Sequence, residues 1–122
     1  LTLRKEIWLL DSNLATGASL ALIMEDWGFR ARHVADAAQA EALDFSVPPA
    51  LLVLDDEYLV DETLWLTFER RMALAWTTMP PIILMSRRPN QRLQRRASTV
   101  LEKPVDLDGL RALVQRLAAQ AA

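Results

Sequence analysis

Residues 50–56 read Ala-Leu-Leu-Val-Leu-Asp-Asp, an unbroken apolar run that stops at two carboxylates. A strand with one wet face alternates apolar and polar residues. A run without that alternation fits a strand covered on both faces, as the central strands of parallel sheets are. Helices must then lie on both sides of the sheet. In open parallel sheets, ligands collect beyond the C-terminal ends of the strands. Whatever else arrives at that edge beside Asp55 therefore defines the candidate site.

The same pattern recurs along the chain. Residues 6–11, Glu-Ile-Trp-Leu-Leu-Asp, predict a first strand that ends at Asp11. Ser12 and Asn13 can turn the chain and cap a helix over 14–27, in which Leu20, Ile23, Met24 and Trp27 recur at helical spacing before Gly28 stops it. Residues 30–34 predict a short second strand, and 36–43 an Ala-rich helix that ends before Pro48-Pro49. Strand three covers 50–55 and a loop 56–60, after which Asp61 caps a helix over 62–75 with Leu64, Phe68, Met72 and Ala75 inward. Pro80-Pro81 punctuates the chain, and 82–85 form a fourth buried run ending at Ser86. Pro89 suits a first helical turn, predicting a short helix over 90–97. Residues 99–102 form a fifth strand closed by Lys103-Pro104, and 107–119 a last helix with Leu110, Leu113, Val114 and Leu117 on one face. Five strands alternating with five helices predict one doubly wound, three-layer α/β domain over 1–122.

Several function classes are excluded. The chain has no cysteine, which removes thiolate catalysis, disulfides and Cys-based zinc sites. Its single histidine, His33, leaves little for a His-rich metal site or a Ser-His-Asp triad. A formal charge of -2 argues for neither nucleic acid nor membrane. The longest apolar runs fall far short of the ~20 residues of a membrane span, and a cytoplasmic setting is expected. Because the chain opens on Leu1, it is expected to be a piece of a longer protein.

Four strand ends carry polar groups: Asp11, Asp55, Ser86 and Lys103. Two acids, a hydroxyl and an ammonium at one edge form a phosphoryl-transfer set. A carboxylate can be the nucleophile toward phosphorus, a second acid can help hold Mg²⁺, and the hydroxyl and ammonium can bind phosphoryl oxygens.

This set, in this order and spacing, resembles the receiver domain of two-component response regulators. The resemblance spans essentially the whole chain. It rests on Leu-Leu-Asp at 9–11, Trp-Gly-Phe at 27–29, Pro-Ala-Leu-Leu-Val-Leu-Asp at 49–55, Ser86 closing its strand, and Lys-Pro at 103–104. It implies a flavodoxin-like five-stranded parallel sheet in the order 2-1-3-4-5. It makes Asp55 the phosphoacceptor, Asp11 a member of the acid pair near the metal, Ser86 the hydroxyl that senses the phosphoryl group, and Lys103 the bridging cation. The resemblance also gives the backbone carbonyl of Glu57 a place in the Mg²⁺ shell, and makes the Lys103–Pro104 bond a candidate cis bond.

The chain departs from the family pattern at defined places. The second acid after strand one is Ser12, a poor partner for a hard dication, and the Glu57 side chain, two residues past the acceptor, can offset part of that loss. The Met-Pro and Asp-Gly turn after the acceptor is replaced by Tyr58-Leu59-Val60-Asp61-Glu62. The aromatic expected three residues before Lys103 is Val100, and the fourth helical segment is about one turn short.

Plainer readings cover the other polar and aromatic residues. Asp56 is expected to face solvent, and His33 to be an ordinary surface or edge residue. Trp8, Trp65 and Trp76 are expected in the core or an interface. Arg87, Arg88, Arg92, Arg95 and Arg96 crowd together without interleaved aromatics, which favours a protein interface over a nucleic-acid patch.

The sequence thus points to a non-enzymatic receiver that takes a phosphoryl group from a histidine kinase or phosphotransfer protein. The implied further partners are an output domain on the same chain and a second copy docking through 87–100, which opens on Arg87 and closes on Val100, and the last helix. The alternative is a degenerate receiver acting as a phosphorylation-independent interaction or dimerisation module. An electron carrier or a phosphatase fits poorly, since Gly17, Gly28 and Gly109 form no strand-to-helix phosphate cradle.

Overall fold

The computed structural model describes residues 3–88, 95 and 97–120. Strands β1 (Glu6–Leu10), β2 (Arg30–Val34), β3 (Leu51–Asp55), β4 (Ile82–Ser86) and β5 (Thr99–Glu102) form one sheet in the order β2-β1-β3-β4-β5. Every neighbouring pair is parallel. The described helices are α1 (Leu14–Asp26), α2 (Ala37–Glu41), α3 (Glu62–Ala75) and α4 (Leu107–Ala119), with a 3-10 turn at Asp56–Leu59. The helix expected over 90–97 falls almost wholly outside the described residues.

The unbroken apolar runs are explained by two cores, one on each face of the sheet. Side chains alternate across a strand, so Trp8, Leu10, Leu52, Leu54, Ile82 and Leu84 pack under α3 with Phe68 and Met72. Ile7, Leu9, Leu51, Val53, Ile83 and Met85 pack on the other side with Met24 of α1 and Leu110 and Val114 of α4. The first core is aromatic: Trp8 meets Phe45 at 5.1 Å and Trp76 at 5.5 Å between ring centroids. The Trp76 indole donates to the Phe45 carbonyl at 2.8 Å, so its polar edge is satisfied inside. Trp8, Trp65 and Trp76 are all core residues.

Caps set the helix starts. Asn13, Asp36, Asp61 and Asp106 each accept a backbone N–H from three residues on, at 2.9 to 3.1 Å. Gly28 follows α1 at φ +98°, the left-handed conformation that a glycine stop supplies. Two expectations shift. Asp36 is the cap of α2, which has only five residues. On α3 the buried face is Trp65, Phe68 and Met72 leading to Trp76, while Leu64 is half-buried and Ala75 exposed. Phe68 and Met72 face inward as expected, while the two ends of the face pass to Trp65 and to Trp76 just beyond the helix, indoles that bury more apolar area than an isobutyl or a methyl group.

Candidate functional site

The C-terminal ends of β1, β3, β4 and β5 bring Asp11, Asp55, Ser86 and Lys103 to one edge, and Glu57 joins them from the turn after β3. Strand alternation sorts them by side. Asp11, Asp55 and Lys103 continue the row facing α1 and α4, whereas Ser86 continues the row facing α3.

Asp11 and Asp55 are built alike. Each uses one carboxylate oxygen to accept the N–H two residues on, from Asn13 and Glu57 respectively, both at 2.9 Å. Each thereby fixes the turn that leaves its strand. The other oxygen of Asp11 is fully buried and has no hydrogen-bond partner among the described residues. Carboxylate oxygens of Asp11, Asp55 and Glu57 lie within 4.8 Å of one another. An orphaned buried anionic oxygen beside two more carboxylates is a hard-cation donor set, so the residues present fit Mg²⁺. The Glu57 side chain supplies the third carboxylate of this cluster, and its backbone carbonyl accepts from Val60 N–H at 3.3 Å. Ser12 is exposed.

Lys103 supplies the cation. Its Nζ donates to Asp55 Oδ1 at 2.8 Å and to Asp56 Oδ1 at 2.7 Å, and the peptide to Pro104 is cis. Val100 is half-buried against the α3-side core.

Asp56 does not face solvent, contrary to expectation. Its second oxygen accepts from Ser86 Oγ at 3.3 Å and from the Arg87 backbone N–H at 3.0 Å. Strand register explains the contact. Asp55 pairs with Met85, so the residues that follow them, Asp56 at the start of the 3-10 turn and Ser86 at the end of β4, come to the same side. Alternation was the available signal: if Asp55 faces α1, Asp56 must face the side of Ser86. His33 does lie on the edge strand β2, but it has a partner. Its Nε2 sits 2.8 Å from the Asp11 carbonyl oxygen, and its ring packs against Gly17 of α1.

The electrostatics follow the geometry. Burial raises Asp11 above the usual carboxylate range, with the Asn13 amide offsetting only part. Burial likewise raises Asp55, against the opposing hydrogen bond from Lys103. Burial works in the same direction on Asp56, yet the hydrogen bonds from Lys103 and the Arg87 amide outweigh it and hold that acid below its ordinary value. Lys103 is raised, because its bonds to the two acids exceed its own desolvation. The acids open onto a cleft of about 580 Å³ whose walls include Leu20 and Ile23 of α1, Met85, and Val105 and Leu107 before and in α4. Among the described residues no helix is long and apolar enough to cross a membrane.

No family model matches the chain, and no curated protein sequence matches it. Solved structures do. A response regulator from Thermotoga maritima superposes with a TM-score of 0.73 at 17% identity, over 97% of this chain and 100% of that one. The beryllofluoride-activated NtrC receiver domain gives 0.70 at 20% identity, over 99% of both chains. NtrX from Brucella abortus, in a complex with ATP, gives 0.71 at 20% identity over 98% of this chain. This chain spans only 27% of the length of that NtrX. The likeness is one of fold: the chain has the CheY-like, flavodoxin-like architecture of response-regulator receiver domains.

Proposed function

We propose that this domain is a receiver that accepts a phosphoryl group on Asp55 from a histidine kinase or phosphotransfer partner. It would pass the change to an output module through the surface beside Ser86 and Lys103. The observation that carries the reading is the convergence of Asp11, Asp55 and Glu57 on one space, with the Lys103 ammonium 2.8 Å from Asp55. In the transfer, an Asp55 carboxylate oxygen forms the new bond to phosphorus as the P–N bond of a phosphoimidazole breaks. The imidazole leaves with the electron pair. Lys103, kept charged by its acidic neighbours, orients Asp55 and offsets negative charge on the incoming group. Asp11, Asp55 and Glu57 would hold Mg²⁺, which when bound neutralises the repulsion between an anionic donor and three carboxylates.

The role is that of a signalling switch without its own substrate turnover, in a cytoplasmic setting. A second copy would dock through 87–100 and α4. The test is intact-mass analysis after acetyl phosphate and Mg²⁺: one added phosphoryl group is expected, and none in Asp55→Asn. No Asp55-dependent adduct with Mg²⁺ or Mn²⁺ removes the reading.

A second reading, an interaction module that works without phosphorylation, is favoured by one feature: Ser86 already spends its proton on Asp56. It expects partner binding to survive Asp55→Asn unchanged.

A further inference from the structure

Asp56 occupies the position from which an anion on Asp55 would be held. On the receiver reading, a phosphoryl group on Asp55 would bring acceptor oxygens beside the Lys103 ammonium, which bonds both Asp55 and Asp56, and so next to the Ser86 hydroxyl and the Arg87 amide. Those three donors already converge on Asp56, at 2.7 Å from Nζ to one oxygen and at 3.3 and 3.0 Å from Oγ and N to the other. We propose that Asp56 is an internal anion that fills this cradle, so that a phosphoryl group or its mimic is retained on Asp55 only when the Asp56 side chain swings out. The inference rests on the receiver reading and adds a brake to it.

Donor arithmetic makes the two anions competitors. The Ser86 hydroxyl has one proton to give and the Arg87 amide one, so neither can serve Asp56 and a phosphoryl oxygen fully at once. Lys103 has three, and can hold Asp55 together with either anion. Space works in the same direction: Ser86 is 1% exposed, and the side chains of Lys103 and Asp56 only 17% and 22%. A phosphoryl group arriving beside an ionised Asp56 meets a like charge with little water between them. The backbone also brings Asp56 to Ser86, since Asp56 directly follows Asp55, which the β3–β4 register pairs with Met85. A plainer role, in which Asp56 only ties down the chain leaving β4, would cost stability when removed and leave anion uptake unchanged.

The experiment uses the chain with Mg²⁺ and beryllofluoride, reading bound fluoride by ¹⁹F NMR and Mg²⁺ uptake separately by amide shifts. Asp56→Ala is expected to take up beryllofluoride at least about tenfold more tightly than the unaltered chain, like-charge juxtaposition having been removed. Asp55→Asn is expected to take up none. Asp56→Asn keeps a carbonyl acceptor without the charge and should fall between, and it decides the matter if Asp56→Ala does not fold. Equal beryllofluoride affinity in chains that all bind Mg²⁺ overturns the brake and leaves the receiver reading standing. Failure of every chain to bind Mg²⁺ removes the receiver reading, and the brake with it.

Discussion

Lys103 and Asp55 meet across the C-terminal edge of the sheet, Nζ 2.8 Å from Oδ1, with side chains only 17% and 5% exposed. The same ammonium also holds Asp56 at 2.7 Å. Lys103→Met keeps most of the apolar stem and removes the charge, leaving two adjacent acids with no salt-bridge partner among the described residues. Breaking a buried pair costs about 3 to 5 kcal/mol, and protonation of Asp55, whose pKa is already raised by burial, relieves part of it. The expected loss is about 3 kcal/mol at neutral pH and smaller in mild acid. Denaturant unfolding at the two pH values checks this; no loss at neutral pH would mean that water screens the pair.

Asp11 and Asp56 affect stability with opposite sign. Burial raises Asp11 above 3.8. Its contribution is therefore fully present below that unfolded value and is lost as pH rises through the folded one. Asp56 is held below 3.8, because its bonds from Lys103 and Arg87 outweigh burial. Its contribution is present above the unfolded value and lost as pH falls through the folded one. Asp11→Asn should thus stabilise the metal-free domain at neutral pH by about 1 to 2 kcal/mol, the size common for a single stabilising substitution, while Asp56→Asn should destabilise it. Thermal melts across the acid-to-neutral range test the pair; slopes that change in the same direction for both variants would contradict the assignment.

How far the sequence reaches can be read from these residues. The strand of Asp55 was legible because a doubly covered strand needs no polar face, and the same logic found Asp11 and Ser86; Lys103 was marked instead by the Lys-Pro that closes the half-buried edge strand β5. The caps at Asn13 and Asp61 were legible because they act within three residues. Asp56 was not, since its partners arrive from β4 and β5, and register between strands is a tertiary property. His33 was hidden for the same reason: its partners, the Asp11 carbonyl and Gly17, belong to β1 and α1. On α3 the centre of the inward face, Phe68 and Met72, was legible, but its edges were not, because helical spacing leaves neighbouring positions on the border and the bulkier Trp65 and Trp76 took them.

Ser12 is the cheapest place to strengthen the site. It is exposed and follows Asp11 directly, so Ser12→Asp adds a carboxylate beside the Asp11, Asp55 and Glu57 oxygens without disturbing packing. Mg²⁺ affinity should tighten about tenfold or more, because affinity follows the number of charged oxygen ligands, and Glu57→Gln should weaken it. The readout is the rise of Tm with Mg²⁺. A ligand present at 100 times its Kd stabilises by about 2.7 kcal/mol, so the tighter variant should show its rise at lower Mg²⁺. Without metal, Ser12→Asp should melt lower than the unaltered chain, as one more like charge joins the cluster. Identical Mg²⁺ dependence in all three proteins would place the ion elsewhere.

Gly17 and His33 are coupled through a space only one of them can fill. Gly17 is buried in the interior of α1, where replacing glycine by alanine ordinarily gains about 1 kcal/mol. Here a Cβ would fall inside the His33 imidazole. The ring would have to leave, and its 2.8 Å hydrogen bond to the Asp11 carbonyl would go with it. Overpacking of this kind costs about 1 to 3 kcal/mol, so Gly17→Ala should be destabilising despite its better helix propensity. In a His33→Ala background the space is open and the propensity gain returns, reversing the sign. Urea unfolding of the four proteins gives the coupling directly, expected at about 1 to 3 kcal/mol for residues in contact. Because His33 anchors the backbone of Asp11, Gly17→Ala should also weaken Mg²⁺ binding while leaving every carboxylate in place. Stabilisation by Gly17→Ala in the otherwise unaltered chain would show that the imidazole does not occupy that seat.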